Sequence, residues 1–287
     1  MLDKAAGVSS FQAASCLRRI YHEKKTGHTG TLDPIATGVL PVALGKATRF
    51  IDFLPDADKA YIARLRFGIT TDTLDITGKV LTQREAAVSA SSLEAALGAF
   101  RGDIMQVPPM YSAISVNGQR LYQLARKGVE IPREARPVHI YSLELTNEYD
   151  GEFEIAVRCS KGTYIRSLIS DLGESLGCGA VMTSLRRTEA NGFRIEKART
   201  EEQLQKAPEA ALLPIDHPFS SLPQVTVTEK QAQRFANGGE LAADRVKDLV
   251  ETGRYRVYAP SGVFLGLGEY RAAEEPALFV LRVSGNV

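Results

Sequence analysis

The chain has 287 residues, of which 44% are hydrophobic and 24% are charged. These fractions match ordinary globular proteins and exclude a disordered chain, a coiled coil and a low-complexity fibre. The 35 Lys and Arg residues nearly balance 34 Asp and Glu residues, which leaves a net charge of +1. Because this balance creates no global field for a polyanion, any anion binding must come from local clusters of basic residues.

The cysteines and histidines are scattered along the chain. Cys16, Cys159 and Cys178 form no C-x-x-C pair, and their odd number favours a reducing compartment over a disulfide framework. The four histidines lack H-x3-H or H-E-x-x-H spacing, so no metal site is predicted. The N-terminus has no apolar signal segment, and no run approaches the ~18 apolar residues of a membrane helix. We therefore expect a cytoplasmic protein.

Hydrophobic periodicity predicts the first elements. Residues 9–21 repeat apolar side chains at helical spacing behind a serine cap, which predicts a helix. Residues 26–48 are rich in Gly and Thr, which predicts an ordered loop leading into short elements. Strict alternation over residues 61–67 then predicts a half-buried strand with Tyr61 on its apolar face.

The middle of the chain alternates turns, helices and strands. The segment around Asp72 and Asp75 is typical of a hairpin turn, and Ser92 is predicted to cap a second helix. Residues 138–145 and 153–159 are predicted strands. The acidic residues along these strands predict a solvated hairpin that faces away from any polyanion: Glu144, Glu148, Asp150, Glu152 and Glu154. This mixed order favours an α+β fold over a doubly wound sheet.

The chain from residue 165 onward contains the clearest helix and a separate module. Apolar residues over 165–176 follow helical spacing, and Gly177 is predicted to end that helix. Residues 205–224 are rich in Ala and Pro, which indicates a boundary. The remaining residues contain several short strand patterns and predict a compact β-rich module.

Asp33 permits two interpretations. A carboxylate directly before a proline is typical of a helix N-cap with Pro34 as the first helical residue, and the local sequence favours this structural role. The alternative is a carboxylate nucleophile or base, presented by a loop whose small residues let a substrate approach. Local sequence leaves both interpretations open.

Arg166 and two tyrosines are similarly ambiguous. A guanidinium in the first turn of a helix opposes the helix dipole at a cost of ~0.3–1 kcal/mol unless an anion compensates. Arg166 is therefore either a solvent-exposed side chain, the partner of a carboxylate or a clamp on phosphate. Tyr61 and Tyr164 are either core residues or stacking platforms for a nucleobase.

Four longer segments follow one another along the chain: LDKAAGVSS at 2–10, GHTGTLDPIATGVLPVALGKATR at 27–49, PPMYSAISVNGQRLYQLARKGVEIPREARPV at 108–138 and CSKGTYIRSLISDLGESLGCGA at 159–180. Together they resemble the TruB family of tRNA pseudouridine synthases, and this resemblance extends from residue 2 to about residue 193. The C-terminal module resembles a PUA domain, which binds RNA.

The resemblance implies a fold, an activity and a domain organisation. The fold would be α+β, with a mixed, mainly antiparallel sheet and flanking helices. The activity would be isomerisation of uridine 55 in the tRNA T loop to pseudouridine, by base flipping and without a cofactor. Residues 1–220 would form the catalytic domain, with a mobile RNA-binding insertion at about 105–137. Residues 225–287 would form the PUA-like RNA-binding domain.

The resemblance also implies roles for individual residues. Asp33 matches the catalytic aspartate, Arg166 matches its arginine partner, and Tyr61 matches a tyrosine that stacks on the target base. The residues expected to contact or surround the substrate are His28, Tyr164, Leu185, Lys4, Arg126, Lys127 and Arg136. Asn191 and Gly192 replace the family's usual Gly-Pro, but both tolerate left-handed backbone, so we expect the turn to survive.

The expected partner is the T arm of tRNA, bound by basic clusters within residues 1–50 and 120–136. We expect a monomer with no membrane contact and no small-molecule cofactor. Two alternatives remain open from sequence: a tRNA-binding folding chaperone that acts independently of catalysis, and a scaffold within a guide-RNA particle.

Overall fold

The computed structural model describes residues 1–55, 58–272 and 277–285. The described strands are β1 Leu2–Lys4, β2 Thr26–His28, β3 Thr37–Leu40, β4 Val42–Leu44, β5 Lys59–Phe67, β6 Ile69–Thr71, β7 Val80–Gln83, β8 Gly102–Gln106, β9 Ser115–Val116, β10 Gln119–Arg120, β11 Arg136–Tyr149, β12 Glu152–Cys159, β13 Ala180–Ala190, β14 Phe193–Arg194, β15 Gln224–Thr226, β16 Leu241–Ala242, β17 Gly253–Tyr258, β18 Phe264–Arg271 and β19 Ala277–Val283. The α-helices are α1 Ser10–Ile20, α2 Ala90–Leu97, α3 Leu121–Ala125, α4 Ile165–Ser175, α5 Glu201–Lys206 and α6 Glu229–Ala236. Within the described ranges, no helix is long and apolar enough to cross a bilayer.

Two larger sheets organise these elements. In the described part of the chain, the first has the order β1-β3-β13-β5-β12-β11-β8, with β14 paired to β13. Its β3–β13 pair is parallel, and its other pairs are antiparallel. The second sheet has the order β15-β17-β18-β19-β16. The predicted α+β class with a mainly antiparallel sheet is confirmed, and so is the β-rich character of the C-terminal module.

Strand β5 lies in the middle of the first sheet and follows the predicted alternation. Tyr61, Ala63, Leu65 and Phe67 are buried on the core face. On the other face its two arginines pair across the sheet, Arg64 with Glu154 at 3.0 Å and Arg66 with Glu152 at 2.9 Å. The acidic β11–β12 hairpin therefore forms as predicted, but its two β12 acids neutralise arginines of β5 instead of facing only solvent.

Helix α1 is capped by Ser9, whose side chain forms a capping box with Gln12. Helix α2 uses the same arrangement one turn earlier than the sequence analysis predicted. Ser89 is the N-cap, and Ser92 stands at the third helical position with its side chain accepting from the backbone of Ser89. The cap prediction was therefore wrong by three residues. Ser89 caps the helix and Ser92 is its capping-box partner, because two serines at this spacing each accept a hydrogen bond from the backbone nitrogen of the other.

Helix α4 packs tightly on β13, and this contact positions its first turn. A Cβ at Gly173 would lie 2.2 Å from the backbone nitrogen of Ala180, so only glycine allows this approach. Ile165, Leu168 and Ile169 are buried beneath the helix in the main core. Gly177, at φ +72°, follows the helix end as predicted.

An aromatic cluster packs a 3₁₀ helix of the N-terminal region against the second sheet. Phe50, on a 3₁₀ helix over Gly45–Phe53, packs with Phe219, Phe264 and Leu267 of the C-terminal region. The division into domains at 1–220 and 225–287 remains our interpretation, and the absence of pairing between the two described sheets supports it.

Candidate active site

Asp33 lies in the loop between β2 and β3, within a tight turn. The backbone nitrogen of Ala36 donates to the carbonyl oxygen of Asp33 at 3.0 Å, with Pro34 at the second position of the turn. No helix begins at this point of the described chain. The N-cap interpretation of Asp33 is therefore wrong, and its carboxylate is free to take another partner.

That partner is Arg166, in the first turn of α4. Arg166 Nε donates to Asp33 Oδ2 at 2.7 Å, and Nη2 donates to Oδ1 at 3.1 Å. The guanidinium also donates to the carbonyl oxygens of Thr73 and Tyr111, each at 2.8 Å. The Arg166 side chain is only 5% exposed, whereas 28% of the Asp33 side chain remains exposed. A buried cation thus fixes the orientation of a carboxylate that solvent can reach.

Lys4 supports the same loop from below. Its ammonium donates to the carbonyl oxygens of Ala5, Val8 and Pro34 at 2.9, 2.8 and 3.3 Å. The residue is only 1% exposed, and the expected contact between Lys4 and the substrate stays a prediction. Because its ammonium is enclosed by carbonyl groups, Lys4 holds the Asp33–Pro34 turn in place.

The pH dependence of stability is expected to reveal this enclosed ammonium. Burial lowers the pKa of Lys4 from 10.5 to about 8 in the folded chain. Between these values the unfolded chain binds more protons, so the free energy of unfolding rises with pH across this window. Relative to Lys4→Met, the wild type should gain about 2 kcal/mol between roughly pH 7 and pH 9.5. Urea unfolding of both proteins checks this, and parallel changes in the two would contradict it.

Tyr61 faces a residue that the sequence analysis missed. Arg187 of β13 stands directly opposite Tyr61 of β5, and its charge acts on the Tyr61 hydroxyl. Arg187 also donates to the carbonyl oxygens of Val39 at 2.8 Å and Gly30 at 3.2 Å. Burial raises the pKa of the Tyr61 hydroxyl to about 12, so this group stays protonated at physiological pH. Leu185, two residues before Arg187, packs in the same core cluster as Tyr61.

His28 and Tyr164 flank this arrangement. His28 ends β2, and among the described residues its buried Nδ1 has no hydrogen-bond partner. Burial, followed by the charge of Arg187, lowers the pKa of the His28 ring, which favours the neutral imidazole at physiological pH. Tyr164 is the N-cap of α4, and burial raises the pKa of its hydroxyl.

Comparison with known protein families places this geometry in context. Residues 18–165 match the model of the TruB family pseudouridylate synthase N-terminal domain. Residues 166–219 match the tRNA pseudouridylate synthase B C-terminal domain, and residues 223–275 match the C-terminal model of pseudouridine synthase II TruB. The chain belongs to the TruB family.

Individual relatives agree with this assignment. The tRNA pseudouridine synthase B of Methylobacillus flagellatus is 47% identical over 94% of this chain and 89% of its own length. The enzyme of the same name from Chromobacterium violaceum is 45% identical over 94% and 90%. Among solved structures, a chain in the crystal structure of a Cbf5-Nop10-Gar1 complex has a TM-score of 0.73 and 26% identity, covering 99% of this chain and 83% of that chain.

Gln106 is a second residue that the sequence analysis missed in this TruB-family chain. Its side-chain amide accepts from the backbone nitrogen of Tyr164 at 2.8 Å and donates to the carbonyl oxygen of Tyr164 at 3.1 Å. Ser167 adds a bond from its hydroxyl to the carbonyl oxygen of Val107 at 2.9 Å. The end of β8 therefore fixes the turn that carries both Tyr164 and Arg166.

Replacing Gln106 with Glu is expected to loosen this turn. An ionised carboxylate still accepts from the Tyr164 nitrogen, but it cannot donate to the Tyr164 carbonyl oxygen 3.1 Å away. Such a lost buried bond costs about 1–3 kcal/mol of unfolding free energy. Because Arg166 shifts with the turn, we expect kcat/KM to fall about tenfold or more. Urea unfolding and turnover measurements check both effects, with Gln205→Glu on exposed α5 as the control; equal behaviour of the two variants would contradict the role of Gln106.

The predicted RNA-binding residues of the insertion are exposed. Residues 107–135 separate β8 from β11 and contain α3. Arg126 and Lys127 follow α3 and are exposed, with Arg126 over the ring of Tyr122. Arg136 begins β11, is also exposed, and its charge acts on the hydroxyl of Tyr164. The structure therefore brings Arg136 near the site and leaves Arg126 and Lys127 on the surface of the insertion.

The substituted turn of this TruB chain forms as expected. Asn191 and Gly192 adopt φ angles of +53° and +76°, both in the left-handed region. The side chain of Thr29 also donates to the Asn191 Oδ1 atom at 2.9 Å. This bond ties the turn after β13 to the loop that leads to Asp33.

Proposed function

We propose that the chain isomerises uridine 55 in the T loop of tRNA to pseudouridine. The observation that supports this proposal is the Asp33 carboxylate, which buried Arg166 orients and which remains partly exposed. The names of the relatives, tRNA pseudouridine synthase B at 47% and 45% identity, support the reaction and the substrate. No observation on the chain favours the chaperone alternative.

The reaction requires one reactive carboxylate and a uracil ring that is shielded from solvent. It breaks the bond from N1 of uracil to C1′ of the ribose and forms a bond from C5 to C1′, while C5 loses a proton and N1 gains one. In this proposal Asp33 is the nucleophile or base, and Arg166 keeps its carboxylate oriented. Tyr61 stacks on the flipped base, and Leu185 lines the apolar side of the pocket.

RNA contacts outside the pocket complete the proposal. Arg126, Lys127 and Arg136 bind the backbone of the T arm through their exposed charges, and His28 and Tyr164 contact the flipped-out nucleotides. Residues 1–220 act as the catalytic domain and 225–287 as a PUA-like RNA-binding domain. The chain works as a cytoplasmic monomer.

The purified full chain tests this proposal on unmodified tRNA labelled with tritium at C5 of uridine. Release of one tritium per tRNA to water is expected, because C5 exchanges its proton when the new bond forms. Replacing uridine 55 with cytidine should abolish this release. If the tRNA with uridine 55 released no tritium, the proposed activity would be refuted. If the tRNA with cytidine 55 still released tritium, uridine 55 would not be the target.

A further inference from the structure

Two cations near Tyr61 have no acidic partner among the described residues. Arg187 is 1% exposed, and its described hydrogen bonds go to the carbonyl oxygens of Val39 and Gly30. Lys59, on β5, is half-buried and forms no ion pair with any described residue. Burial lowers the pKa of the Lys59 ammonium, and the charge of Arg187 lowers it further. Two neighbouring cations in this setting are costly unless an anion joins them.

Gly30 marks the point where these two cations converge. A Cβ at Gly30 would lie 3.5 Å from Arg187 Nη1 and 3.9 Å from Lys59 Nζ. The position that a Cβ would take at Gly30 therefore lies at contact distance from a guanidinium and an ammonium, and glycine leaves that position empty. Gly30 lies three residues before Asp33 on the same loop.

The spacing of Lys59 and Tyr61 along β5 suits a nucleotide whose base lies against Tyr61. Lys59 and Tyr61 are two residues apart on β5 and share one face, which separates them by about 7 Å along the strand. Arg187 stands opposite Tyr61 in the register. A base against Tyr61 would thus place a neighbouring backbone phosphate within reach of Lys59.

We propose that Lys59, Arg187 and the backbone at Gly30 form a binding site for one phosphodiester group of the RNA, adjacent to the target nucleotide. Lys59 makes the direct ionic contact, and buried Arg187 contributes its field from the position opposite Tyr61. The site thereby couples the position of the RNA backbone to the position of the base. This inference rests on the proposed function, because it takes RNA as the substrate.

The experiment combines a protein change with a single neutralised phosphate. T-arm stem-loops carry a methylphosphonate on either the 5′ or the 3′ side of the target uridine, and kcat/KM is measured with the wild type and Lys59→Met. With unmodified RNA, Lys59→Met should lower kcat/KM about tenfold, and one methylphosphonate should lower the wild-type value about tenfold. On that RNA, Lys59→Met should cause no further loss, because the contact is already absent.

The proposal would be overturned if the two losses were independent. In that case, for each of the two methylphosphonates, the fold-loss in kcat/KM caused by Lys59→Met would be the same as with unmodified RNA, which would show that the phosphate and the lysine do not interact. Wild-type kcat/KM that is insensitive to both methylphosphonates would also overturn it, whether or not Lys59→Met folds. Lys206→Met is the control, because Lys206 is exposed and pairs with Glu202 on α5; it should leave kcat/KM unchanged with every RNA. If the wild type forms no pseudouridine on unmodified RNA, the proposed function itself fails, which is a separate outcome.

Discussion

Replacing Asp33 with Asn is expected to reduce pseudouridine formation on the order of 10⁴-fold or more, comparable to the loss of a nucleophile in other enzymes. The amide has nearly the same shape, so it still accepts one hydrogen bond from Arg166. Its NH₂ group, however, faces a guanidinium that only donates, and it lacks the charge and nucleophilicity of a carboxylate. Binding of the T-arm stem-loop should remain close to that of the wild type, because Asp33 supplies no cationic contact to RNA.

Single-turnover tritium release and a fluorescence binding assay measure the two properties of Asp33→Asn separately. Asp103→Asn is the matched control, because the Asp103 side chain is 91% exposed and contacts only His139 among the described residues. Wild-type turnover by Asp33→Asn would remove the carboxylate from the mechanism. Loss of RNA binding together with turnover would instead assign Asp33 to substrate recognition.

Replacing Arg166 with Lys is expected to lower kcat/KM about 100-fold or more, because a misplaced catalytic group has an effect of this size. An ammonium cannot donate to both oxygens of Asp33 and also reach the carbonyl oxygens of Thr73 and Tyr111, as the guanidinium does. The change also leaves buried acceptors unsatisfied, which should cost about 3 kcal/mol of unfolding free energy.

Arg186→Lys provides a matched control for Arg166→Lys. Arg186 also forms a bidentate pair, with Asp3 at 2.8 and 3.2 Å, but its side chain is 43% exposed. Exposed pairs contribute about 0–1 kcal/mol, so this variant should unfold nearly as the wild type does. Urea unfolding and kcat/KM of both variants decide the comparison. If Arg166→Lys behaves like Arg186→Lys, the buried pair does not organise the reactive carboxylate.

Several elements were predictable because their signals are local. The α1 region has its serine cap and helical spacing, β5 alternates strictly, and α4 has a continuous apolar stripe ended by Gly177. Caps and periodicities act between residues a few positions apart, so they can be read without knowing the fold. The same holds for the hairpin around Asp72 and Asp75, where Asp75 accepts hydrogen bonds from Thr73 and Thr77.

Strand β13 escaped prediction although it lies beside β5 in the sheet. Its pairing with β5 shifts register between Met182 and Ser184 and again between Arg187 and Glu189. Each irregularity breaks the two-residue alternation that identifies a strand, so the apolar pattern is lost in the sequence. Arg187 was missed for the same reason: when the alternation of a strand is broken, the sequence does not show whether an arginine on that strand points into the core or into solvent.

By itself, the sequence determined the α+β class, the local elements and, through motifs that resemble the TruB family, the residues worth examining. Only the tertiary structure decided that Arg166 is buried and donates to both oxygens of Asp33 across 133 positions, that Lys4 is enclosed, and that Arg187 stands opposite Tyr61. The physical reason is that helix and strand signals arise between near neighbours in the chain. The orientation of a reactive carboxylate depends instead on burial and hydrogen bonds between distant segments, which exist only after the sheet and α4 have packed together.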